Sequence, residues 1–158
     1  MFGLSFEEVR DYLTKCGLGD QVLEFDQSSA TVELAAQAVG CEPCRIAKTM
    51  SFMIDAKPVL IVLAGDTRVD NPKFKAQFHQ KAVMLSAEQV TELTGFPVGG
   101  VCPFGASEKA TVYLDESLKR FETVYPAAGS RNSAVMVTLL QLLEASHAAG
   151  WVDVGKQG

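Results

Sequence analysis

The run Val59-Leu60-Ile61-Val62-Leu63-Ala64 constrains this chain more than any other stretch. Six consecutive apolar residues fall far short of the roughly 20 needed to span a bilayer. They suit a β-strand buried on both faces, hence a central one. Just upstream, Ile46-Ala47-Lys48-Thr49-Met50-Ser51-Phe52-Met53 reads as a second strand. Its period of two places Ile46, Lys48, Met50 and Phe52 on one face and Ala47, Thr49, Ser51 and Met53 on the other. Lys48 therefore shares a mostly apolar face, where a lysine is edge-exposed, snorkelling or facing a pocket.

Helices and strands alternate irregularly around this pair. Ser5-Phe6-Glu7-Glu8 has capping-box spacing ahead of an apolar face of Val9, Tyr12, Leu13 and Cys16. Val22–Phe25 reads as a short strand, and a helix runs from near Thr31 to Gly40. Asn71-Pro72 starts a helix through Phe74 and Phe78, and Val83-Met84-Leu85 reads as a short strand. Ser86-Ala87-Glu88-Gln89 opens another helix, ending at Gly95. Thr111–Leu114 is a strand and Asp115 caps a short helix. Thr123–Tyr125 and Ala134–Val137 are strands around a turn. Thr138-Leu139-Leu140-Gln141 caps the last helix, and Trp151–Val154 adds an edge strand or tail contact. Several strand pairs lie too close for crossover helices, so the pattern predicts an α+β fold with a mixed, largely antiparallel sheet. With 158 residues, 47% of them hydrophobic, and no repeat or linker, one domain over residues 1–158 is expected.

Charge and cysteine usage narrow the function. The net charge of −5 argues against a general nucleic-acid binder. Residues 41–81 nevertheless hold seven Lys/Arg against four acids, a small basic face that could meet one end of an anionic partner. The first ten residues carry Glu7 and Glu8 and no basic start before an apolar block, which predicts a cytoplasmic protein without a secretory signal. Cys41-Glu42-Pro43-Cys44 has Cys-x-x-Cys spacing, but a helix precedes it and a strand follows, the reverse of a redox motif. Zinc would need two more ligands from Cys16, Cys102, His79 and His147, none paired at ligand spacing, so neither metal nor cofactor is expected.

Thr94-Gly95-Phe96-Pro97-Val98-Gly99-Gly100-Val101-Cys102-Pro103-Phe104-Gly105 packs four glycines and two prolines into twelve residues. Such a stretch is a poor helix or strand. It is either a structural turn or a loop whose amides hold an oxyanion, a carbonyl oxygen or a phosphate. It follows a helix rather than joining a strand to a helix, so it is neither a dinucleotide fingerprint nor a P-loop.

With this loop, Ile46-Ala47-Lys48-Thr49-Met50, Val62-Leu63-Ala64-Gly65-Asp66 and Val112-Tyr113-Leu114-Asp115-Glu116-Ser117-Leu118 occur in the order seen in the YbaK-type deacylases, free-standing relatives of the editing domain of prolyl-tRNA synthetase. The resemblance covers roughly residues 25–145. It implies a strongly curved, barrel-like mixed sheet flanked by helices, and hydrolysis of the ester that joins a wrong amino acid to the 3′ end of tRNA, often tRNA-Pro. The family's functional lysine matches Lys48 and its Gly-Gly loop matches Gly99 and Gly100. Val101, Cys102, Pro103, Gly129 and Asn132 are expected at the substrate. Two positions depart from the pattern. Cys102 stands where many relatives carry Ser. In Ala127-Ala128-Gly129-Ser130-Arg131-Asn132-Ser133-Ala134, better-known subgroups place an Asp or a His, and the counterpart here is apolar, such as Ala134.

The chemistry agrees with these residues. An aminoacyl ester is already activated, and its hydrolysis needs a held carbonyl, a held terminal adenosine and a directed water or substrate hydroxyl. Amides at Gly99–Val101 would hold the carbonyl, and Lys48 would act by position and charge. The expected partner is the acceptor end of aminoacyl-tRNA, with prolyl-tRNA synthetase as a further one, for a monomer or weak homodimer that does not bind membranes. Two other readings stand: a non-catalytic module that holds aminoacyl-adenosine or a related small molecule, and a thiol protein using Cys41 and Cys44.

Overall fold

The computed structural model describes residues 6–96, 101–105 and 110–157. The first half contains α1 (Phe6–Lys15), β1 (Val22–Glu24), α2 (Val32–Val39), β2 (Ile46–Ile54), β3 (Lys57–Ala64), β4 (Thr67–Val69), α3 (Asn71–Phe78) and α4 (Ala87–Thr94). The second half contains β5 (Thr111–Asp115), β6 (Thr123–Pro126), β7 (Ser133–Val135), β8 (Val137–Thr138), α5 (Leu139–Ser146), β9 (Gly150–Val152) and β10 (Gly155–Gln157). Short 3₁₀ turns at Pro43–Arg45 and Glu116–Arg120 lead into β2 and out of β5.

A six-stranded mixed sheet in the order β8-β6-β2-β3-β5-β9 curls through the molecule, giving the expected α+β architecture. β2 and β3 form a long antiparallel hairpin, while β6 joins β2, β5 joins β3 and β9 joins β5, all in parallel. Two smaller antiparallel ladders, β1 with β7 and β4 with β10, complete the pairing. β3 occupies the central position its apolar run calls for. Leu60, Val62 and Ala64 face the main core, with Val9 and Leu13 of α1 and Leu142 and Ala145 of α5. Val59, Ile61 and Leu63 face a second core with Phe52, Ile54 and Phe74. A third, small cluster seats Ala35 and Ala36 of α2 on Ile46 at the start of β2.

Local chemistry sets the helix boundaries. Ser86 with Gln89 and Thr138 with Gln141 form complete capping boxes at α4 and α5. Thr31 caps α2 by accepting from the Leu34 amide, and Gly40 ends the helix at φ 84°, a left-handed cap that glycine adopts without steric cost. Gly65 is demanded by proximity: a Cβ there would lie 2.0 Å from the Pro43 carbonyl oxygen and 2.8 Å from Cγ1 of Val32. The end of β3 thus presses directly on the turn that joins α2 to β2.

Two expectations change. Val83–Leu85 is not a full strand; it makes one bridge, Met84 to Phe52, along the outer edge of β2. The strand expected over 134–137 breaks at Met136, whose amide turns to the Gln21 carbonyl 3.1 Å away, leaving β7 and β8 in different sheets. β4 and β10 were not foreseen. The Ser5 capping box lies outside the described residues.

Candidate active site

β2 has β3 along one edge for its whole length, but its other edge is covered in two pieces. β6 pairs only with Ile46 and Ala47. Further on, the Met53 amide bonds to the Val83 carbonyl at 2.9 Å and the Leu85 amide to the Ser51 carbonyl at 3.1 Å. Ala47, Ser51 and Met53 therefore aim backbone groups at this outer edge, and the period of two puts those of Thr49 there as well. Between the two pieces lies a cavity of about 250 Å³. Its walls are Ser29–Val32 and Ala35 around the start of α2, Ile46–Thr49 of β2, Val101, and Tyr125, Ala127, Ser133 and Ala134 from the strands opposite.

Lys48 lines this cavity, although its strand neighbours Met50 and Phe52 pack into the second core. Burial pulls the Lys48 ammonium below its ordinary value, and the charges of Asp66 and Glu33 oppose that pull. Among the described residues, none forms a salt bridge with Lys48. Asp66 is instead gripped by the Arg120 guanidinium, Nη1 to Oδ2 at 3.0 Å and Nη2 to Oδ1 at 2.5 Å. The hydrogen bonds from Arg120 hold the Asp66 carboxyl below the usual carboxylate range. Arg45 stabilises the wall: its guanidinium donates to the Thr123 carbonyl at 3.3 Å and lies 5.3 Å from the centre of the Tyr125 ring.

The expected site residues divide. Lys48 and Val101 meet at the cavity. Gly99 and Gly100 lie outside the described residues. Cys102 is fully buried in the main core beside Phe96 and Phe104, with its thiol 3.7 Å from the Phe104 carbonyl. Burial pushes that thiol up to about 12, opposite to the shift a nucleophile needs. Pro103 is buried beside it. Gly129 and Asn132 are not among the residues that line the cavity. The Asn132 side chain donates to the Phe25 carbonyl at 3.0 Å, and the Phe25 amide returns a bond to the Asn132 carbonyl at 2.8 Å. Asn132 thereby ties the 127–134 turn to β1. All four cysteines are free, and burial raises the Cys41 and Cys44 thiols, again away from thiolate reactivity.

The sequence did not single out Ser29, Thr31, Thr49, Tyr125 or Ser133, all of which line the cavity. Most of their hydroxyls are occupied. Ser29 donates to the Arg131 carbonyl at 3.2 Å, Thr31 accepts from the Leu34 amide, and Ser133 shares a 2.6 Å bond with Ser130. Among the described residues, Thr49 Oγ1 is buried with no hydrogen-bond partner. Such a group costs roughly 1–3 kcal/mol in a folded protein. The signal for Ser29 and Thr31 was the Ser28-Ser29-Ala30-Thr31 run ahead of α2, which reads from sequence as a helix cap alone.

The site is a small mixed-polarity cavity at the edge of the sheet of an α+β fold, walled by alanines and by Lys48, which has no salt bridge among the described residues. The family model of the aminoacyl-tRNA editing domain matches residues 26–145, and the chain belongs to that family. YwhH of Bacillus subtilis, a protein without an assigned function, is 49% identical over 154 residues, covering 97% of this chain and 98% of its own. EbsC of Enterococcus faecalis, described as a candidate Cys-tRNA(Pro)/Cys-tRNA(Cys) deacylase, is 27% identical over 70% of this chain and 69% of its own. A crystal structure of a candidate trans-editing enzyme for prolyl-tRNA synthetase superposes with a TM-score of 0.85 at 31% identity, covering 99% of both chains. Among the described residues, no helix is long and apolar enough to cross a membrane.

Proposed function

We propose that this chain is a trans-acting aminoacyl-tRNA deacylase that hydrolyses the ester of a small mischarged amino acid, with tRNA-Pro as the carrier. The observation that carries the reading is the cavity of about 250 Å³, with Lys48 on its wall and alanines at positions 30, 35, 47, 127 and 134. A cavity of that size with a wall of small side chains has room for a short aminoacyl group, as the second sieve of an editing site needs. The descriptions of EbsC, which name tRNA-Pro and tRNA-Cys, and of the trans-editing structure support tRNA-Pro as the carrier.

In this reading Lys48 meets the anionic 3′ end and steers the ester, and the amides of Gly99, Gly100 and Val101 receive the carbonyl oxygen. Water adds to the carbonyl carbon, the carbon–oxygen bond to the ribose breaks, and the ribose oxygen takes up a proton. Position and electrostatics supply the rate. The protein works in the cytoplasm as one domain, a monomer or weak homodimer, on the acceptor end of tRNA and alongside prolyl-tRNA synthetase.

The test is deacylation of tRNA-Pro carrying alanine, serine, threonine, cysteine or 2-aminobutyrate. One small residue should be released rapidly, and Lys48→Ala should slow its release about 100-fold, the effect of removing one well-placed electrostatic contact. Undiminished release by Lys48→Ala would remove the lysine from the site. A non-catalytic binding module is the second reading, favoured by the apolar wall at Ala127 and Ala134. It would show as tight binding of aminoacyl-adenosine with no release from any charged tRNA.

A further inference from the structure

We propose that Thr49 reads a hydroxyl or thiol on the side chain of the bound aminoacyl group. The inference rests on the deacylase reading of the cavity and deepens it, naming seryl, cysteinyl or threonyl esters over alanyl and 2-aminobutyryl ones. Thr49 lines the cavity, and among the described residues its buried Oγ1 has no hydrogen-bond partner. The serine and threonine hydroxyls that share that wall are already engaged, Ser29 with a carbonyl, Thr31 with a helix amide and Ser133 with another serine. A buried hydroxyl without a partner, on a residue that lines a cavity, gains one from a polar ligand group that reaches it.

The place of Thr49 in the strand says which part of the ligand reaches it. Alternation turns Lys48 and Thr49 to opposite faces of β2, and both border the cavity because the outer edge of the strand is uncovered there. Lys48 stands opposite Leu63 of the second core, and Thr49 stands opposite Val62 of the main core. Lys48 carries the positive charge, so the anionic nucleotide end belongs on its side. The amino-acid side chain, furthest from the nucleotide, then points to Thr49. A site with a hydroxyl in this place penalises a ligand that cannot bond to it, because the hydroxyl stays buried and unpaired.

The experiment uses the full chain and two stable amide analogues, 3′-seryl-amino- and 3′-alanyl-amino-3′-deoxyadenosine, with calorimetric binding alongside release of serine and alanine from tRNA-Pro. The wild type should bind the seryl analogue about tenfold more tightly, the discrimination that one hydrogen bond confers. Thr49→Val, which keeps the branched shape, should erase that preference without lowering the melting temperature, and Thr49→Ser should keep it. Equal affinity of the wild type for the two analogues, no binding of either, a preference that survives in Thr49→Val, or an equal loss for both would each overturn the assignment. Failure of the deacylase reading looks different: the seryl preference and its loss in Thr49→Val would persist with no release from any tRNA.

Discussion

The two ends of β2 obey the same alternation and do opposite things. At the far end, Phe52 and Ile54 pack with Phe74 and Ile61 in the second core, and the Phe52 and Phe74 ring centres are 5.1 Å apart. At the near end, Lys48 and Thr49 border a cavity, and among the described residues one is an ammonium without a salt bridge and the other a hydroxyl without a partner. Inward and outward positions follow the sequence identically at both ends. The difference lies in what covers the outer edge: residues 83–85 at one end, two residues of β6 at the other, and between them a gap. In this sheet a site arises where edge pairing stops, and the unsatisfied polar groups mark it.

Substitutions can break or sharpen this contrast. Phe52→Ala should have the largest effect, about 3–5 kcal/mol of stability by chemical denaturation, because it empties a fully packed position. A cost below 1 kcal/mol would mean that the far end is not the packing anchor. Gly65→Ala should cost about 1–3 kcal/mol, since the new methyl meets the Pro43 carbonyl at 2.0 Å. It should also weaken ligand binding, as the strained turn joins the two cavity walls α2 and β2. Loss of stability with unchanged binding would separate that turn from the site.

The smallest effect should be a change in pH dependence. Burial lowers the Lys48 value in the folded state. Between that lowered value and the ordinary one near 10.4, the folded protein holds fewer protons than the unfolded chain, so stability rises with pH there. Below the window the full cost of the buried charge is present. Lys48→Met lacks the rise, and its gain over the wild type should be largest at neutral pH and shrink as the pH climbs toward 10. Urea titrations at a series of pH values measure this. Parallel curves for the two proteins would show that Lys48 is not desolvated.

The elements legible in the sequence are those with strong local or periodic signals. The apolar run of β3, the alternation of β2 and the Ser86 and Thr138 capping boxes each satisfy one requirement that few other arrangements meet. β4 and β10 escaped notice because three residues such as Thr67-Arg68-Val69 or Gly155-Lys156-Gln157 carry no period; their pairing exists only in three dimensions. In the site, Lys48 stood out as a cation on an apolar face. Thr49 did not, because a threonine in a strand is ordinary until its hydroxyl is found without a partner. Cys102 sits in a loop rich in glycine and proline, where no pattern distinguishes a side chain facing the core from one facing a ligand. Asn132 looked like a pocket residue, and its bonds to Phe25 make it a buckle outside the pocket lining.

The pairing of β1 with β7, Val22 against Val135, carries a consequence for the order of assembly. The cavity draws its walls from residues 29–35, 46–49, 101 and 125–134. Contacts so distant in sequence close slowly and late. During synthesis the β2–β3 hairpin can form as soon as it emerges, but the cavity has no far wall until residues 125–134 follow. An unfinished chain therefore carries Lys48 on a strand with no far wall opposite it, and capture of a ligand waits on residues 125–134.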